Sequence, residues 1–175
     1  TGSKLRAEYE IINPDSVDLP WGLGTHTYFK VPLQKTSAPE KCLLVAPPTK
    51  QYGLIDCLPT GETRDLPSGL TLNEGVYFGS QKLDDVFGGV PADLVECLIM
   101  DEAAGLQVAQ RNPGSFRDLV IYTPPGRNAV CFEPYTCITD AINLQNDDFD
   151  AGWKTLAPGA STKTWIDVEA ELVIA

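Results

Sequence analysis

The sequence predicts an all-β fold, an antiparallel β-sandwich. Three observations carry that prediction. Apolar and polar residues alternate in several short stretches, as side chains on opposite faces of a strand do. Fourteen prolines and fifteen glycines punctuate these stretches, so turns follow one another closely. No stretch carries the periodicity of a long amphipathic helix.

The elements follow in order. In "LRAEYEIIN", Leu5, Ala7, Tyr9 and Ile11 share one face while Arg6, Glu8 and Glu10 share the other. This reads as a half-buried strand with a wet face. It begins almost at the first residue, and a sandwich opening so abruptly exposes strand edges unless something covers them. "WGLGTHTYFK" starts a second strand near His26. The span from Ala38 to Asn73 is the least regular and reads as long loops over a sheet face, where sites usually lie. "DLVECLIM" and "GLQVAQ" flank "DEAAG" as a hairpin. "DLVIYT" follows the turn "RNPGS", and "NAVCFEPY" reads as a further strand. In "TWIDVEAEL", Ile166, Val168, Ala170 and Leu172 alternate with a wet face of Trp165, Asp167, Glu169 and Glu171.

The bulk numbers bound the function. A length of 175 residues suits one domain, residues 1–175, with a real core, and 43% apolar content is ordinary for a globular chain. A formal charge of -11 disfavours nucleic acid and anionic membranes and leaves a neutral ligand such as a sugar compatible. No stretch is apolar and long enough to span a bilayer, and the N-terminus does not read as a signal peptide. The chain does not start with Met, so a processed or truncated start is compatible with it. The five cysteines are odd in number and lack C-x-x-C spacing. They read as small buried hydrophobes in a reducing, cytoplasmic compartment, with no disulfide framework, and with one histidine to join them no metal site is expected.

Few residues stand out as chemical. His26 is the only histidine. It is either a proton-transfer group or a residue that caps a strand and bonds backbone. Glu133 ends an apolar strand and precedes Pro134, an awkward place for a carboxylate unless it faces water or is used. Asp84 and Asp85 are adjacent, so on a strand they point to opposite faces, and one could enter a pocket. From pattern alone the better reading is an acidic turn before Gly88 and Gly89. "NDDFD", Asn146 to Asp150, lacks the spacing of a calcium loop and reads as solvated. "GLG" at 22–24 has no helix after it, so it is no dinucleotide fingerprint.

Four motifs taken in order resemble the aldose 1-epimerase (galactose mutarotase) family: "HTYF", "DDVF", "EPYT" and "LAPG", with "NPDSVDLPWGLGTH" upstream. The resemblance spans essentially the whole chain and implies part of a large antiparallel β-supersandwich. It implies His26 as the general acid at the sugar's ring oxygen, Glu133 as the general base at the C1 hydroxyl, and Asp84 as a ligand of sugar hydroxyls. Asp85 stands where the family varies and receives no role. Tyr28, Phe132 and Tyr135 lie near the motifs and read as core packing. No cofactor is implied. The chain corresponds to about the C-terminal half of a usual family member, whose other half supplies a further Arg and His. The resemblance therefore implies a fragment, or a chain completed by a separate N-terminal half or a second copy.

Anomer interconversion needs one group to accept the O1 proton while another donates to O5. The C1–O5 bond then opens, and the aldehyde turns and recloses on its other face. Lys30, Arg111, Arg117 and Arg127 are the main cations near the motifs, too few to suggest a phosphate pocket, so a neutral aldose is expected. Rival classes are a non-catalytic carbohydrate-binding module, a glycoside hydrolase using Asp84 and Glu133, and a purely structural domain.

Overall fold

In the computed structural model, residues 3–80, 82–146 and 148–173 are described, and the architecture is two six-stranded antiparallel sheets with one short two-stranded ribbon. The strands are β1 (Lys4–Ile12), β2 (Leu19–Trp21), β3 (Thr27–Lys30), β4 (Cys42–Val45), β5 (Lys50–Ile55), β6 (Leu58–Asp65) and β7 (Val76–Tyr77). They continue with β8 (Asp84–Gly88), β9 (Leu94–Asp101), β10 (Leu106–Pro113), β11 (Asp118–Tyr122), β12 (Ala129–Tyr135), β13 (Lys154–Leu156) and β14 (Ser161–Leu172). A single helical turn, α1 (Ala141–Leu144), follows β12. The all-β sandwich is therefore as the alternation predicts.

The first sheet runs β1-β14-β10-β9-β4-β7 and the second β3-β12-β11-β8-β5-β6. Their facing sides make the main core. Leu44, Val95, Cys97 and Ile99 of the first sheet meet Phe29, Phe87, Leu119, Ile121, Val130 and Phe132 of the second. Each comes from alternate positions of its strand, which is why the pattern was readable. β9 and β10 form the expected hairpin, with Asp101 opposite Leu106.

Three expectations fail. The span from Ala38 to Asn73 is not mainly loop, because it holds β4, β5 and β6. "CLLV" is a short apolar run without alternation. β5 and β6 join through Asp56 and Cys57, both at positive φ, a two-residue hairpin turn without the usual Asn-Gly signature. The wet face of β14 is not wet throughout. Asp167 is buried beneath Arg6 and Lys4, with Arg6 Nε 2.6 Å from Asp167 Oδ1 and the Arg6 guanidinium over the Trp165 ring. These cations hold the Asp167 carboxyl well below its usual range. Farther along that face Arg111 joins Glu96, Glu169 and Glu171. Finally, the cysteines are all unpaired, but only Cys42, Cys97 and Cys131 are buried; Cys137 is half-buried and Cys57 is exposed.

The outer face of the second sheet is divided. One part carries a second small core, in which Tyr52, Val86 and Val120 are covered by Ile138, Ala141, Phe149, Ala151 and Trp153 from the segment after β12. The "NDDFD" loop belongs to this cover. Asn146 Oδ1 accepts from the Asp148 and Phe149 amides, and Asp150 pairs with Arg117, while Asp147 lies outside the described residues. The other part stays open and carries His26 and Glu133.

Candidate active site

Register brings the site together. On β12, Val130, Phe132 and Pro134 turn inward, so Cys131, Glu133 and Tyr135 share the outer face. Opposite them on β11 lie Tyr122, Val120 and Asp118, and beyond these, on β8, Asp84 and Val86. β3 pairs with β12 on the other side, with Tyr28 opposite Cys131, which sets His26 beside Glu133.

The two sequence motifs also clasp each other. Leu23 N donates to Thr136 Oγ1 at 2.9 Å, Thr136 N donates to Leu23 O at 2.9 Å, and Gly24 bridges Tyr135. The glycines are explained by close approach. A Cβ on Gly24 would lie 2.7 Å from the Tyr135 ring, and one on Gly22 would lie 2.6 Å from Cys137 Sγ. "WGLGTH" and "EPYT" thus form one unit that fixes His26 against Glu133.

His26 Nε2 lies 3.1 Å from Glu133 Oε1, and the Glu133 side chain is only 3% exposed while that of His26 is 51% exposed. The second carboxylate oxygen accepts from the Tyr135 hydroxyl at 3.1 Å. Burial pushes the Glu133 carboxyl up, His26 and the Tyr135 bond oppose that, and Asp84 adds to it. The His26 ring stacks on Tyr28, with centroids 5.0 Å apart, and meets the edge of Tyr122.

A cavity of about 280 Å³ opens over this pair, lined by His26, Asp84, Tyr122, Glu133 and Tyr135 together with Leu54, Cys57 and Thr139. A second groove of about 400 Å³ adjoins it, sharing Asp84 and Tyr122 and lined also by Phe78, Lys82, Pro124 and Arg127. The structure therefore brings all three predicted residues, His26, Glu133 and Asp84, to one cavity. Asp84 is exposed at its wall, whereas Asp85 turns away and accepts from Gln51 Nε2 at 2.7 Å.

Core packing holds for Phe132, which is 1% exposed, and fails for Tyr28 and Tyr135. Tyr28 is half-exposed and stacked on His26 because its strand pairs on one side only. Tyr135 is half-buried and spends its hydroxyl on Glu133. Sequence reasoning missed Tyr122, Leu54 and Cys57. Tyr122 was legible as the outward residue at the end of "DLVIYT"; the other two sit beside the β5–β6 turn and left no local signal.

The arrangement can hold a hydroxylated ring against aromatic edges and pass a proton between a buried carboxylate and an imidazole. Among the described residues no helix is long and apolar enough to cross a membrane.

Comparison with known proteins agrees with this fold. The profile of the aldose 1-epimerase family matches residues 1–169. A galactose mutarotase-like protein from Clostridium acetobutylicum is 24% identical with a TM-score of 0.85, over 95% of this chain and 52% of its own. An aldose epimerase homologue from C. elegans is 17% identical with a TM-score of 0.71, over 98% and 57%. Galactose 1-epimerase from Lactobacillus acidophilus NCFM is 15% identical with a TM-score of 0.59, over 97% and 63%. These likenesses establish the fold, and the chain spans 52% to 63% of the length of these three structures.

Proposed function

This chain belongs to the aldose 1-epimerase family, and from that premise we propose that it interconverts the α and β anomers of a free aldose by general acid–base catalysis. The observation that carries the proposal is the 3.1 Å approach of His26 Nε2 to the buried Glu133 carboxylate under an open cavity. O1 and O5 are both bonded to C1, so two groups this close can address both oxygens of one hemiacetal.

Glu133 takes the O1 proton as the C1–O5 bond breaks, and His26 protonates O5. The open aldehyde rotates about C1–C2, and the ring recloses with the roles exchanged. Tyr135 steadies the carboxylate through its hydroxyl. Asp84, on the cavity wall, accepts hydrogen bonds from sugar hydroxyls. Tyr122 and Tyr28 offer aromatic faces and hold the imidazole. A binding module would not need a buried carboxylate held against an imidazole, and that pairing favours the enzyme over the module.

A neutral hexose suits the site. Arg111 lies on the other sheet among three carboxylates, and Arg117 is engaged by Asp150 and Asp118, so neither is available to a phosphate here. The adjoining groove does hold Lys82 and Arg127, so hexose 6-phosphates belong in the test. Further protein, either the other half of a longer chain or a second copy, would close the outer side of the cavity. The unpaired cysteines suit a reducing compartment such as the cytoplasm.

Anomer exchange followed by NMR over free aldoses, their 6-phosphates and methyl glycosides tests this reading. Exchange of a free aldose above the buffer rate, with the glycosides untouched, is the expected result. Hydrolysis of a glycoside, or sugar binding without exchange, would overturn it.

A further inference from the structure

One contact at the site is not used by the proposed reaction. Cys131 Sγ, His26 and Glu133 present ligand atoms that all lie within 4.8 Å of one another. No spacing in the sequence signals this set, because His26 comes from the segment before β3 and the other two from alternate positions of β12.

The geometry suits a borderline-soft cation. Zinc takes a nitrogen at about 2.0–2.1 Å, a sulfur at about 2.3 Å and a carboxylate oxygen at about 2.0–2.2 Å in a tetrahedron. Ligands at those distances stand roughly 3.3–3.6 Å apart. The His26–Glu133 pair already stands at 3.1 Å, and closing the whole set from within 4.8 Å takes side-chain shifts of roughly 1 Å. Three protein ligands leave one position open, and two of the three, His26 and Glu133, line the cavity. A chain of charge -11 attracts cations.

We propose that His26, Cys131 and Glu133 form an inhibitory site for Zn2+ and similar thiophilic divalent cations, which compete with the sugar. The inference rests on the reading of this cavity as a sugar site, but its chemistry can be tested apart from it. On binding, the Cys131 S–H bond breaks, its proton passes to solvent, and the thiolate, the imidazole lone pair and the carboxylate bond the ion.

Titration with Co2+ reads the site without any assay of activity. The wild type and a Cys57→Ser control are expected to develop a thiolate-to-cobalt charge-transfer band and the visible bands of tetrahedral cobalt. Cys131→Ser is expected to lose the charge-transfer band while keeping its far-ultraviolet circular dichroism and its anomer exchange. Zn2+ then abolishes exchange in the wild type and leaves it largely intact in Cys131→Ser. A charge-transfer band that persists in Cys131→Ser, or none in the wild type at saturating Co2+, would overturn the inference. A wild type with the band but no exchange would keep the metal site and remove the mutarotase reading.

Discussion

Glu133 is held by two partners of different kinds, an imidazole at one oxygen and a phenol at the other. Glu133→Gln keeps the shape and removes the proposed base, so exchange should fall about 10²- to 10⁴-fold in the NMR assay while the fold persists. Tyr135→Phe leaves a buried carboxylate short of one donor. A loss of about 1–3 kcal/mol in chemical denaturation is expected, together with slower exchange. Gly24→Ala forces a Cβ against the Tyr135 ring. Overpacking of this kind costs about 1–3 kcal/mol, and the displaced ring should slow exchange more than the stability loss alone explains. At this scale the sequence was legible where a residue type was out of place. A lone histidine behind two glycines and a carboxylate before a proline stood out as candidates, and the structure brings both to one cavity, while Tyr28 and Tyr135 were misread because an aromatic on a strand has the same pattern inside and outside.

Between the elements, register does the positioning, and register is long-range. β12 lies between β3 and β11, so residues about a hundred positions apart become neighbours. The alternating strands β9, β10, β12 and β14 were readable, since one face of each meets the core, and β1 was readable by its alternation although its Leu5 is exposed. β4 to β6 were not, because Pro47, Pro48 and Gly53 interrupt them and their turn lacks Asn-Gly. Leu54 and Cys57 were lost with them. Phe132 shows how the layers depend on each other, since its ring fills the main core while Glu133 on the same strand faces the cavity. Phe132→Ala should cost about 3–5 kcal/mol in urea unfolding.

Asp118, on β11 beneath the second core, gives a pH signature. Tyr52 donates to its Oδ1 at 2.9 Å, while Oδ2 has no hydrogen bond and lies 3.4 Å from Arg117 Nε. Burial raises its carboxyl to about 6. The folded state thus holds this proton more tightly than the unfolded chain, and stability falls as pH rises from about 4 to about 6. Asp118→Asn should flatten that slope in denaturant titrations, leaving the variant the more stable at neutral pH by up to about 3 kcal/mol.

Across the whole molecule, one sheet pair does two jobs. The inner faces make the main core, and the outer face of the second sheet is shared between a small covered core and the open cavity. The cover after β12 and the ribbon of β2 with β13 hold the "WGLGTH" and "EPYT" segments together, so the site sits on rigid backbone. The fold class was visible in the alternation, the close-set turns and the lack of a long amphipathic helix. The pairing of His26 with Glu133 was not, since no local pattern encodes which strands become neighbours.

In the proposed reaction His26 and Glu133 work as one unit, and a double-mutant cycle on anomer exchange is the sharpest test of that pairing. The exchange rate of a free aldose would be measured for the wild type, Glu133→Gln, His26→Gln and the double variant. Each single change should remove nearly all exchange, and the double variant should be little worse than either. Single variants that keep substantial exchange, or effects that simply add, would contradict it.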